Sequence, residues 1–425
     1  MTQVYKFIRF SNKFVKQHYY NQCSNIVTKL NFSSKNNPAI ILGIETSCDD
    51  TGMAIVDSNG KILGEALNSQ LHVHLPEGGI DPAVARDLHL QNIESVYQEC
   101  LKSANIDINN VDAIAITLEP GLPLSLVVGK NFSLKLSSKY NKPIIPVHHM
   151  QAHALTARLN EKVNFPFLVL LMSGGHCSIV LAQSVNQFKL LGETIDATPG
   201  QCFDKVARRL KLINIFEYSN ISGGKAIELA AMKADNPDQF HFPTPLVHFR
   251  NCNFSFSCLT SSSTYHIDKE EDKYNIILDE IIPGVNNLCA GLIMATIKHI
   301  CTRLERAMQF VENEKLIPEN NKILIISGGV ASNNLIAKAL DILCLERGFK
   351  LIRTPPNLCT DNGVMIAWNG IEKYMANIEI IRNRDEINKL DIKGKSLIGE
   401  DWCDIVKSKN IERYRFKIKF NNLLS

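Results

Sequence analysis

Short apolar runs of period two and longer stretches of helical period alternate along the chain, in an order that repeats once. Residues 39–44, 52–57 and 61–67 read as strands, the last two joined by Ser58-Asn59-Gly60, whose Asn-Gly pair favours a tight hairpin. Between positions 82 and 104, Val84, Leu88, Ile93, Val96, Tyr97 and Leu101 recur at helical spacing. A strand at 111–117, a helix at 125–140 and a strand at 143–147 close the first round. The second opens with strands at 165–172, 177–183 and 188–193 and a helix at 201–211. It finishes with a helix at 286–311, a strand at 322–326, a helix at 334–347, a strand at 349–353 and a helix at 363–374. This pattern predicts a duplicated α/β fold of two lobes, each packing helices on a mixed sheet, with a ligand cleft between them. Residues 236–279 read as an irregular inserted loop region ending in mixed charge. Beyond Tyr374 the chain is charged, and the strict alternation of 413–420 predicts an edge strand guarded by cations or a strand that touches RNA.

Composition narrows the class. A chain of 425 residues, 45% hydrophobic and 21% charged, can bury one large core or two ordinary ones. No apolar run approaches the roughly 20 residues that cross a bilayer, so no membrane span is expected. The 12 cysteines contain no C-x-x-C pair, which argues against a zinc ribbon or a dithiol centre and for buried, reduced thiols. No acid precedes Glu45, whereas Lys6, Arg9, Lys13, Lys16, Lys29 and Lys35 alternate with aromatic and aliphatic residues. That composition predicts a mitochondrial transit peptide over 1–38; a basic arm for nucleic acid is the alternative. Removing those six cations from the formal +3 leaves −3, so RNA binding requires a local patch. Lys205, Arg208, Arg209 and Lys211 on one predicted helix, with Lys130, Lys135 and Lys139 on another, are the candidates.

Three patterns carry chemistry. His149 and His153 are four apart and share one helix face, able to hold a metal or simply to pair in a core; Asp361, before a helix in the other half, is a candidate third ligand. Glycine turns follow strands at Ser173-Gly174-Gly175 and Ser327-Gly328-Gly329, and another stands at Ser222-Gly223-Gly224. They can present backbone N–H groups to a phosphate, or be mere turns; their spacing fits neither a Rossmann nor a P-loop signature. The first hairpin places Glu45, Asp49 and Asp50 with Thr46 and Ser47 beside a turn.

The runs 43–52, 120–122, 147–153, 172–176, 203–207, 254–257, 327–330 and 359–363, in this order, make the chain resemble the tRNA N6-adenosine threonylcarbamoyltransferase family over about residues 40–375, and with the basic leader its mitochondrial branch. The resemblance implies an actin-like (ASKHA/RNase H-like) fold, with lobes at 39–149 and 150–375 and a charged extension at 376–425. It implies iron or zinc on His149, His153 and Asp361, and the adenylate or its threonylcarbamoyl group held by Leu171, Met172, Ser173, Gly174, Gly175, Asp204, Gly224, Glu228 and Asn333. The implied reaction moves threonylcarbamoyl from threonylcarbamoyl-AMP to N6 of adenosine 37 in mitochondrial tRNAs that read codons beginning with A. Asp49 is the candidate for proton removal, with Asp50 and Glu45 as neighbours of similar claim. A matrix homodimer supplied by a separate threonylcarbamoyl-AMP synthase is implied too. Gln151, Ala83, Gln201, Cys258 and Thr260 depart from the family pattern and touch substrate handling rather than the proposed ligands. A metalloprotease is disfavoured because Met150 stands where an H-E-x-x-H site needs its glutamate. A small-molecule kinase or a non-catalytic nucleotide scaffold of the same fold is the remaining alternative.

Overall fold

The computed structural model describes residues 37–77, 79–414 and 416–424. The predicted leader thus falls, but for Asn37 and Pro38, outside the described residues. Strands β1 (Ile40–Glu45), β2 (Asp50–Asp57), β3 (Ile62–Ser69), β4 (Ala113–Glu119) and β5 (Ile144–His148) form one sheet in the order β3-β2-β1-β4-β5. The first three pair antiparallel, and β4 and β5 add parallel. Strands β6 (Phe167–Met172), β7 (Cys177–Ala182), β8 (Phe188–Glu193), β9 (Ile323–Ser327), β10 (Lys350–Arg353) and β11 (Glu400–Asp401) form the other, ordered β10-β9-β6-β7-β8-β11. Apart from β11 this is the first order again, with the same antiparallel meander and parallel additions. The duplication expected from the alternating periods is therefore real.

Both faces of β1 and β6 are buried, which is why they read as unbroken apolar runs. Leu42 and Ile44 face the helices Pro82–Ala104 and Pro123–Tyr140, while Ile41 faces the helix Gly363–Met375. In the second sheet Leu168 and Leu170 meet the helices Val285–Asn313 and Asn334–Arg347, and Phe167 and Val169 meet the helix His149–Leu155. Two helices thus occupy the space between the sheets. Glycine permits the closest approach: a Cβ on Gly43 would lie 2.3 Å from the Ala367 nitrogen, and one on Gly363 2.3 Å from the Met53 carbonyl carbon.

Three regions differ from their sequence reading. The helix Gly363–Met375 packs on the first sheet although its chain neighbours belong to the second lobe, so the segment 150–375 is not one packing unit. Within 236–279 lies an 18-residue helix, Ser257–Tyr274. Only Leu259, Ser263 and Ile267 of that helix are fully buried, and a serine in the middle of so short an apolar stripe hides its period. Around 413–420 no strand forms among the described residues; Tyr414, Phe416, Ile418 and Phe420 instead pack on the helical layer of the second lobe. The alternation marked one buried side, but no backbone ladder accompanies it. The extension also clamps the first lobe, through Ile381 bridging Ile144 and Ile387 in its core. All described cysteines are free thiols.

Candidate metal centre and interlobe cleft

His148 ends β5 and caps the helix His149–Leu155, its ring accepting the Met150 N–H. One turn of this helix stacks His149 and His153, whose rings lie edge to face 4.7 Å apart. Asp361 comes from the other side, two residues before the helix that Gly363 lets down onto β2. Its Oδ1 lies 3.1 Å from His153 Nε2 and 3.4 Å from His149 Nε2. One ligand atom from each of the three residues lies within 4.8 Å of the others, a convergence that fits a metal ion.

The surroundings strengthen that fit. Glu45, fully buried at the end of β1, accepts the His149 Nδ1 proton at 3.2 Å, and Ser47 Oγ stands 3.1 Å from the same nitrogen. The carboxylate holds the imidazole with Nδ1 protonated and Nε2 turned to Asp361, the carboxylate–histidine arrangement that supports metal ligands. Glu45 is fixed in turn by the Ser47 N–H at 2.5 Å and the Thr117 hydroxyl at 2.7 Å. Burial opposes charge on Asp361, but His149 and His153 more than offset it and hold the carboxyl well below its usual range. Burial likewise opposes the His149 imidazolium, and Asp361 with Glu45 overcomes it. A protein that can keep these groups charged without ligand must lose the histidine proton to take up metal, which makes affinity fall at low pH.

Asp49 lies on the turn between β1 and β2, and Asp50 opens β2. Asp50 is buried enough that its pKa is pushed up to about 7, by desolvation first and by Asp49, Asp361 and Glu45 further, against a hydrogen bond from Ser69. Its Oδ1 has no partner among the described residues. The turn is held by His89, fully buried on the Pro82–Ala104 helix: its Nε2 donates to the Cys48 carbonyl at 3.0 Å and its Nδ1 meets Thr51 Oγ1 at 2.7 Å. Sequence reading placed Ser47 beside the turn without giving it a role, and missed Thr117 and His89, which sit in a strand and a helix where nothing local separates them from ordinary core residues.

The predicted adenylate residues gather on the second lobe. Leu171 and Met172 end β6 and are buried; Ser173 then turns the chain, its Oγ accepting the His176 N–H at 3.0 Å. Added Cβ atoms on Gly174 or Gly175 would meet nothing, so this backbone faces open space. His176 links the turn to the histidine pair: burial, then the neighbouring His149 and His153, pull its pKa down to about 4, leaving it neutral. The helix Pro199–Arg209 abuts the turn, with Thr198 donating to the Gly174 carbonyl at 2.7 Å. Asp204 on that helix accepts the Gly224 N–H, and burial raises its pKa. Glu228 spends one oxygen on the Asn334 N–H and the other on Lys225, each at 2.7 Å, and Asn333 caps its helix through the Ile336 N–H. Gly328, at φ +96°, crosses so close to Met172 that a Cβ would lie 2.4 Å from the Met172 carbonyl oxygen. Of the predicted RNA patch, Lys205, Arg208, Arg209 and Lys211 line one groove with Thr260 and Thr264. Arg209 and Lys211 are partly neutralised there by Glu271, and Lys135 pairs with Glu94 at 3.4 Å.

A profile of the TsaD family, tRNA N6-adenosine threonylcarbamoyltransferase, matches residues 61–368. The mitochondrial tRNA N6-adenosine threonylcarbamoyltransferase of Xenopus tropicalis is 45% identical over 381 residues, covering 90% of this chain and 93% of its own. That of Homo sapiens is 49% identical over 380 residues, covering 89% and 91%. Among solved structures, HypF of T. kodakarensis shares the fold at a TM-score of 0.52 and 13% identity, over 80% of this chain and 48% of HypF. Matched across most of its length, with the paired lobes and the His-His-Asp cluster in place, the chain belongs to the tRNA N6-adenosine threonylcarbamoyltransferase family, in its mitochondrial branch.

Proposed function

We propose a division of labour within the cleft for the family's reaction, in which threonylcarbamoyl-AMP gives its threonylcarbamoyl group to N6 of adenosine 37 in mitochondrial tRNAs that read codons beginning with A. The N6 nitrogen attacks the carbamoyl carbonyl, the C–O bond to phosphate breaks, and AMP leaves. That amine is a weak nucleophile, its lone pair being drawn into the purine, so positioning and charge stabilisation carry the catalysis. The open Gly174-Gly175 turn offers N–H groups to the departing phosphate. Asp204, with its neighbour Gly224, Glu228 and Asn333 hold the nucleoside and its threonylcarbamoyl group. Iron or zinc suits two imidazoles and a carboxylate and, when bound to His149, His153 and Asp361, would polarise the carbonyl or grip the threonyl group.

For the proton leaving N6, Asp49 remains a candidate, and Asp50 gains from the structure. It carries an unpartnered oxygen and titrates near neutrality, as a base at this step requires. The groove lined by Lys205 and Arg208, on the helix of Asp204, and by Thr260 and Thr264, on the helix Ser257–Tyr274, suits the tRNA phosphates. A homodimer fed by a separate synthase is our reading of the assembly; exposed Val84, Leu90, Leu124 and Val127 on the outer helices of the first lobe offer it a surface. No described helix is long and apolar enough to cross a membrane.

The observation that carries this reading is the convergence of one ligand atom each from His149, His153 and Asp361 within 4.8 Å of one another. The test supplies leaderless protein with unmodified tRNA and a synthase that makes threonylcarbamoyl-AMP. Modified nucleoside from wild type, and little from His149→Ala, supports it; no product from folded, metal-loaded wild type sinks it.

A further inference from the structure

The long helix Val285–Asn313 buries two arginines, Arg303 and Arg306, each 2% exposed, on the second lobe and away from the cleft residues described above. Neither makes an ion pair among the described residues. Arg303 donates instead to the carbonyls of Phe249 and Asn251, at 2.8 and 2.9 Å, and to those of Pro245 and Leu246. Arg306 shares the Phe249 and Asn251 carbonyls. Leu246 takes the left-handed region at φ 50° to present its carbonyl. Carbonyl dipoles solvate these cations only in part, for the Nε atoms of both arginines find no acceptor. The nearest acid, Glu305, turns to Arg347 at 3.6 Å and Gln309.

Beside the pair lies a small, partly open cavity whose lining includes Thr244, His299, Thr302, Arg303, Arg306 and Arg413, the last from the C-terminal segment. Its wall therefore holds three guanidinium groups, two hydroxyl-bearing residues and no carboxylate. His299 accepts the Ser255 N–H at 3.1 Å through Nε2, which leaves its other nitrogen as the protonated one. Burial and mutual repulsion disfavour the charges: the Arg303 pKa is brought down to about 10, first by desolvation and then by Arg306, with Arg413 contributing. Two like charges buried three residues apart and closed over by a third call for a counter-charge.

We propose that this cavity binds one small inorganic anion of about the size of chloride, which offsets part of the positive charge that Arg303, Arg306 and Arg413 bring together. The anion thereby staples both the 244–251 strap and the C-terminal segment onto the long helix. Among the described residues no acid lines the cavity that would otherwise fill this role, and its small volume excludes a nucleotide or a nucleic-acid strand.

The test uses the full chain at constant ionic strength, with gluconate exchanged stepwise for chloride. Wild type should show a saturable rise in Tm of about 2 °C. Arg413→Met, which removes the exposed cation of the three, should flatten that rise, and Arg413→Lys should restore most of it. Crystals soaked in bromide should give one anomalous peak between the guanidinium groups. An equal rise in wild type and Arg413→Met would reduce the effect to general salt action, and absence of the bromide peak would mean that water fills the cavity; either overturns the proposal.

Discussion

The turn between β1 and β2 and the turn between β6 and β7 occupy equivalent places in the two lobes, yet they offer opposite chemistry to the cleft. In the first, Glu45, Ser47, Asp49 and Asp50 supply side chains, of which Glu45 and Ser47 are buried and meet His149. In the second, Gly174 and Gly175 supply backbone, with no protein atom within 4 Å of where a Cβ on either would be. Equivalent positions are thus built from acidic and hydroxyl side chains in one lobe and from exposed glycine backbone in the other. A transfer reaction needs both, because the acyl carbon must be activated while its leaving phosphate is held.

Removing a metal ligand should break this asymmetry most severely. His153→Ala and Asp361→Ala should each abolish stoichiometric metal and lower tRNA modification by roughly 1,000-fold, on the scale of a lost electrostatic centre. Metal analysis of purified protein beside nucleoside quantification would check this. Normal turnover by a metal-free variant would remove the first lobe's claimed role. Next, Glu45→Gln keeps the shape of the His149 contact but loses its charge, and should weaken metal affinity by roughly 10–100-fold. A chelator titration reads that directly.

The glycine side can be sharpened by two substitutions that look alike in sequence. Gly175→Ala should leave Tm unchanged while raising KM for threonylcarbamoyl-AMP by about 10-fold, as expected if the amides must approach a phosphate closely. Gly328→Ala should instead cost roughly 2 kcal/mol of stability, because it combines a positive φ with a collision against Met172. Denaturation and steady-state kinetics on both would separate a contact surface from a packing site. Similar losses of stability in both would contradict the open position of the Gly174-Gly175 turn.

The smallest effect concerns pH. Asp50 has a folded pKa raised from 3.8 to about 7. Its contribution therefore favours the fold below the unfolded value and is lost as pH rises toward the folded one. At pH 8 the metal-free wild type carries a poorly compensated charge, so Asp50→Asn should raise Tm there by about 2 °C and have no such effect near pH 4. If Asp50 is also the base, transfer by wild type should fall on the acid side of about pH 7, and the variant should lose that limb along with most activity. A stabilised variant with full activity would leave proton removal to Asp49.

Much of this was legible before any coordinates. The apolar periods placed the helices Pro82–Ala104 and Asn334–Arg347 and strand β8 at their observed bounds, because long stripes and buried strands carry strong local signals. The repeated order of elements gave the duplication, and the His149 and His153 spacing gave one shared face. What stayed hidden were interactions whose partners are distant in sequence. The helix Ser257–Tyr274 escaped because its burial depends on neighbours rather than on its own apolar stripe. Local spacing could also not show that Gly43 and Gly363 meet across 320 residues to lay a late helix on the first sheet. That contact, made possible by two missing side chains, carries Asp361 to the histidines. Sequence alone determined most of the elements, the duplicated plan and the histidine pair, since each is written in near-neighbour pattern. Only the tertiary structure decided which acid supports His149, which aspartate is desolvated and how the C-terminal segment is used, since those depend on burial and charge brought together by folding.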